Sequence, residues 1–194
     1  MFMRRVMVGR MGVVTWVCAA AALAASGPRP ATGIDLHGRS VDPLLADRGK
    51  VTVLVYVRTD CPVSSRYAPT VQKLAADYAG KSKFWLVYPA KTDTVPVIEK
   101  YLKDFGYKLD ALQDPGRDLV KAGDAEITPS VSVFSAHGEL LYHGRIDNWY
   151  EDFGRARREP TTHELADALA AAVDGKKPAV ATAPAVGCYI SDLQ

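Results

Sequence analysis

The residues of this 194-residue chain with the most distinctive chemistry are its three cysteines, Cys18, Cys61 and Cys188. Cys61 stands in "VLVYVRTDCPVSSRYAPTVQKL". There a run of β-formers, Val51 to Val57, leads into a segment with Tyr67, Val71, Leu74, Ala75 and Tyr78 at helical spacing. The cysteine therefore falls at a strand-to-helix turn among polar neighbours. A thiol at a helix N-terminus faces unpaired N–H groups and the positive end of the dipole, and both stabilise negative charge on sulfur. Pro62 suits the first helical turn, where its missing N–H is not needed. Arg58 and Arg66 add positive charge nearby, and Asp60 opposes them. Such a sulfur is a nucleophile toward a disulfide or a peroxide. The plainer alternative is a buried structural thiol that acts as a small hydrophobe.

The N-terminal stretch "MFMRRVMVGRMGVVTWVCAAAALAASGPRP" changes the cysteine count. A basic start, an apolar run from Met11 to Ala25 and small residues after it have the three parts of a secretory signal. The apolar run is shorter than the roughly 20 residues of a membrane span; an uncleaved N-terminal anchor is the alternative. We read residues 1–26 as a signal peptide, 27–32 as a flexible lead-in, 33–175 as the folded domain and 176–194 as a tail carrying Cys188. Cleavage removes Cys18. The exported chain, periplasmic or extracellular, keeps Cys61 and Cys188 where disulfides persist.

Composition narrows the function classes. The chain is 48% hydrophobic, enough for a normal core. Its 24 basic residues exceed 22 acidic ones, but removing Arg4, Arg5 and Arg10 with the leader leaves 21 against 22. A near-neutral body gives no electrostatic case for nucleic acid. The absence of a CxxC pair excludes a zinc ribbon or finger, and no GxGxxG, P-loop or HExxH occurs. No cofactor and no resident metal is expected.

The elements that must position Cys61 read as alternating strands and helices. "IDLHGRSVDPLL" is a strand, a turn at His37-Gly38 and a return. Val51–Val57 is a buried strand, Ser64–Tyr78 a helix, "KFWLVYPA" a second buried strand and Thr94–Phe105 a second helix. "ALQDPGRDLVKAGD" gives a short extended piece and a brief helix. Ser130–Ser135 and Glu139–Ile146 flank a hairpin turn at His137-Gly138. "TTHELADALAAAVDGKKP" is a final helix that Thr161 or Thr162 would cap, with Glu164 completing a capping box. This order predicts an α/β fold, a central mixed sheet with helices on both faces.

Three features together resemble the thioredoxin-fold redoxins, the group of thioredoxins, exported thiol-disulfide proteins and peroxiredoxin-like (AhpC/TSA-like) proteins. Cys61-Pro62-Val63-Ser64 stands where thioredoxins have CxxC. Pro69, eight residues after Cys61, matches the proline that kinks their active-site helix. "ITPSVSVF" matches the loop that carries their cis-proline. The resemblance covers about residues 33 to 175. It implies that Cys61 is the nucleophile and that Pro62, Ser64, Thr128 and Pro129 shape the partner-binding surface. It also implies that Arg145, on the last strand, is a basic partner for the thiolate.

The departures are as informative. Ser64 replaces the resolving thiol of a dithiol motif, so a CxxS site can form a mixed disulfide but cannot release it from within. Peroxiredoxins carry P-x-x-x-T-x-x-C; here Thr59 lies two residues before Cys61 and Leu54 occupies the proline position. Cys188, in "PAVGCYI", is either a packed tail residue or the missing resolving thiol. The resemblance points first to an exported thiol-disulfide oxidoreductase acting on a protein or small-molecule disulfide. The alternatives are a peroxiredoxin-like antioxidant and a non-catalytic module for a client protein or Cu(I), with a structural Cys61–Cys188 bond. His143 with the two thiols keeps the Cu(I) variant open, although Sco-type copper proteins use CxxxC and Ser65 stands at that position.

Overall fold

The computed structural model describes residues 31–47 and 49–190, so the proposed signal peptide and most of the lead-in lie outside the described residues. β1 (Gly33–Asp35) turns into β2 (Ser40–Val41), and the one-turn helix α1 (Pro43–Ala46) follows. Asp42 caps α1 by accepting from the Leu44 N–H at 2.9 Å, and Pro43 occupies the first helical position. β3 (Val51–Tyr56), buried along its whole length, ends five residues before Cys61. α2 (Pro62–Arg66) and α3 (Ala68–Asp77) follow, then β4 (Ser82–Tyr88), α4 (Val95–Asp104), β5 (Asp110–Gln113) and α5 (Asp118–Ala122). The chain continues as β6 (Ile127–Thr128), β7 (Ser130–Phe134), β8 (Leu140–Gly144), the short hairpin β9 (Tyr150–Asp152) and β10 (Arg155–Ala156), and α6 (Glu164–Val173). The tail adds β11 (Thr182–Ala183) and β12 (Cys188–Tyr189).

Eight strands form one mixed sheet in the order β11-β8-β7-β3-β4-β5-β1-β2. β3, β4 and β5 run parallel; β7 is antiparallel to β3 and to β8. A parallel centre buried on both faces explains why β3 and β4 are continuous apolar runs rather than alternating ones. Period two still sorts the side chains. Val51, Val53 and Val55 face a core built with α2, α3, α4 and α6. Leu54 and Tyr56 face a second core with Leu119 and Val120 of α5, partly buried Leu44 of α1, and Ile190 of the tail. The expected mixed sheet with helices on both faces is what the structure shows.

Local differences have local reasons. The helix expected from Ser64 to Tyr78 is two helices broken at Tyr67. Pro69 has no N–H to donate and its ring crowds the carbonyl four residues back, which forces the break. The final helix is capped differently from the expectation. His163 is the N-cap with no side-chain bond, and the Thr161 and Thr162 N–H groups instead donate to Asn148 Oδ1 at 2.7 and 3.1 Å. The competing acceptor comes from a distant segment, so the capping box does not close.

Candidate active site

Cys61 is the N-cap of α2, with extended backbone and only 1% exposure. Its carbonyl accepts from the Ser65 N–H and hydroxyl at 3.2 and 3.3 Å. Ser64 is fully buried, and its Oγ accepts from the Arg58 N–H at 3.4 Å. The residue in the second motif position thus ties the two ends of the turn. Pro62 stays at the surface beside the sulfur. Arg58 is paired with Asp60 at 2.7 Å, so the charges that flank Cys61 in sequence neutralise each other.

The far wall comes from 67 residues later in the chain. The Thr128–Pro129 bond is cis, and the Thr128 carbonyl lies 3.7 Å from Cys61 Sγ. β12 pairs antiparallel with β6 and sets Cys188 opposite Thr128 and Tyr189 opposite Ile127. The Thr128 hydroxyl donates to the Cys188 carbonyl at 3.3 Å, and the Ile190 N–H donates to the Glu126 carbonyl at 2.8 Å. The two sulfurs are left 3.7 Å apart as free thiols. A disulfide needs about 2.05 Å between sulfurs, so closing the bond takes a small side-chain movement.

The Cys188 thiol is held protonated at neutral pH. Burial, followed by the closeness of Cys61, pushes it up to about 11. The raised value means that the dithiol contact stabilises the docked tail fully below the unfolded thiol range, about 8.5. The contribution fades as pH rises through about 11. We expect iodoacetamide labelling of Cys188, mapped by mass spectrometry, to show a midpoint well above 9. In Cys61→Ser the midpoint should fall; an unchanged midpoint would show that Cys61 does not contribute.

A second support is Asp93, buried at the turn before α4. Its Oδ1 accepts a short hydrogen bond from the Thr59 hydroxyl and a longer one, 3.4 Å, from the Thr59 N–H, bracing the loop that carries Cys61. Its Oδ2 is buried with no partner among the described residues. Desolvation raises the Asp93 acid above the usual carboxylate range, against the lowering effect of the Thr59 bonds. The stability it contributes is complete below the unfolded value, about 3.9, and is lost as pH rises through the folded value. Relative to Asp93→Asn, the wild type should lose stability as pH rises above about 4. Urea melts across that rise check this, and parallel curves would refute it.

The other residues singled out in the sequence lie elsewhere. Arg145, at the end of β8, binds Glu164 through Nε at 2.9 Å and through Nη2. Burial opposes ionisation of Glu164, but the bonds from Arg145 and Thr162 outweigh it and hold the carboxyl below its ordinary value. Arg58 is the arginine whose charge acts on Cys188, favouring its thiolate. His143 Nδ1 lies 3.1 Å from the Asp124 carbonyl. Among the described residues no group of three His, Cys, Asp or Glu is placed to hold a metal ion. Asp93 was missed in sequence, although an isolated acid flanked by "YPAKTDT" offered no signal of burial.

No protein-family model matches the sequence, and no curated protein sequence matches it either. Solved structures do. An uncharacterized conserved protein from Geobacillus kaustophilus aligns at 22% identity with a TM-score of 0.71, covering 83% of this chain and 87% of that one. DsbF from Mycobacterium tuberculosis aligns at 22% identity with a TM-score of 0.51, covering 59% of this chain and 82% of that one. The chain has the thioredoxin fold. A secreted Mycobacterium tuberculosis disulfide oxidoreductase homologous to E. coli DsbE gives a TM-score of 0.50 at 18% identity, covering 74% of this chain and 94% of that one. On this thioredoxin fold, the second sulfur beside Cys61 is supplied by the tail, while Ser64 occupies the second motif position. No helix among the described residues is long and apolar enough to cross a membrane.

Proposed function

We propose that this protein is an exported thiol-disulfide oxidoreductase in which Cys61 attacks and Cys188 resolves. The observation that carries the reading is the 3.7 Å contact between the two sulfurs, held by the pairing of β12 with β6. The cycle balances without a cofactor. The Cys61 thiolate attacks one sulfur of a partner disulfide; the partner S–S bond breaks and its first thiolate leaves to take a proton. Cys188, deprotonated, attacks Cys61 Sγ, forms the Cys61–Cys188 bond and expels the partner's second thiolate. The partner gains two electrons, the protein loses two, and an external thiol returns it to the dithiol form. The raised pKa of the partly buried Cys188 thiol keeps it from competing as first nucleophile.

Insulin reduction tests the reading. Wild type should accelerate it and Cys61→Ser should not. Peroxide consumption without insulin reduction would favour a peroxidase instead. A Cys61–Cys188 potential well below about −300 mV would mark a structural staple. Export is checked by intact mass: the mature form should lack about two dozen N-terminal residues.

A further inference from the structure

The tail that carries Cys188 also defines what shape of chain fits beside Cys61. We infer that the β6 edge is a strand-docking groove selective for a partner disulfide whose cysteine is preceded by glycine and followed, two residues later, by an aliphatic side chain. This rests on the thiol-disulfide reading above and names its substrate class: an extended polypeptide segment of the form Gly-Cys-x-aliphatic.

Each position of the tail gives one part of that rule. At Gly187, a Cβ would stand 2.0 Å from the Thr128 carbonyl oxygen, 2.8 Å from its carbon and 3.1 Å from Pro129 Cδ. The obstructing atoms are mainly backbone, and Thr128 is fully buried, so no side-chain rotation can make room. The same carbonyl lies against Cys61 Sγ, so moving it would disturb the nucleophile. Cys188 comes next, opposite Thr128 with its sulfur at Cys61. Tyr189 points outward, 57% exposed, and leaves its position open to any residue. Ile190 turns back in, 2% exposed, into the core that holds Leu54, Tyr56, Leu119 and Val120. The in-out-in order is the period of an extended strand.

The groove is therefore occupied by a displaceable occupant. The pairing of β12 with β6 is only two residues long, and Pro184 in the lead-in has no N–H to add to a ladder. Tail and partner need the same edge and the same sulfur position. A partner cysteine reaches Cys61 as the tail leaves, and the tail's return brings Cys188 to resolve the mixed disulfide.

The test uses the reduced full chain with Cys188→Ser and symmetric disulfide dimers of acetylated Ala-Val-Gly-Cys-Tyr-Ile amide. Capture by Cys61, followed by intact mass, should be about 10-fold faster than with alanine in place of the glycine. Replacing the isoleucine by serine should slow capture by a similar factor. Adding Gly187→Ala to the protein should speed capture of the glycine peptide several-fold, because the competing tail docks poorly. Hydroxyethyl disulfide, which has no strand to dock, separates the outcomes. Reaction with it and equal rates for all peptides would overturn the selectivity while leaving the oxidoreductase reading intact. No reaction with any disulfide would overturn both.

Discussion

Under the proposed cycle, replacing Cys188 by serine should leave disulfide exchange stopped half-way. With pre-reduced Cys188→Ser and no added thiol, one partner sulfur should remain bonded to Cys61. Release of the second partner thiol should slow by at least about 100-fold, since a positioned intramolecular thiol acts at an effective concentration far above that of any free one. Ser64 cannot substitute: it is a hydroxyl, and its oxygen is committed to the Arg58 N–H inside the turn. Single-turnover mass spectrometry reads the trapped adduct, and non-reducing gels show it with a protein partner. Cys61→Ser should form no such adduct. Wild-type release from Cys188→Ser would reduce the tail to a packing element.

The largest stability effect should come from Leu54→Ala. Leu54 has no exposed surface and sits on β3, the strand flanked by β4 and β7 at the centre of the sheet. Truncation there removes about 3–4 kcal/mol through lost burial and the cavity left behind. For a chain of this length that lowers the melting temperature by roughly 10 °C. Urea and thermal unfolding under reducing conditions measure it without a contribution from the tail disulfide. Phe153→Ala, at an exposed hairpin tip, is the control and should stay within about 0.5 kcal/mol. A Leu54→Ala loss below 1 kcal/mol would contradict the assignment of β3 to the core.

The sequence signals that succeeded were strong and local. Val51–Val57 and "KFWLVYPA" are too uniformly apolar to sit anywhere but a sheet covered on both faces, and they are β3 and β4. Val97, Ile98, Tyr101 and Leu102 have helical spacing within α4. The signals that failed were those settled by a distant competitor. The Thr161–Thr162 cap yielded to Asn148. The hairpin of β9 and β10 has only three and two residues, below what periodicity can report.

The candidate site divides along the same line. Sequence by itself determined that Cys61 stands between a strand and a helix, because hydrophobic period and a proline at the first helical position are properties of neighbours along the chain. The resemblance to the redoxins marked Ser64 as a missing thiol and Thr128-Pro129 as the opposing loop. Only the tertiary structure decided that Cys188 reaches Cys61 across 127 positions and that Asp93 braces the turn from another loop. It also decided that Arg145 is committed to Glu164. The reason is physical: the tail's short strand carries too few residues to fold on its own propensity, so it takes its shape from the free edge of β6 and from the pocket that receives Ile190. That edge and pocket exist only once the sheet has formed.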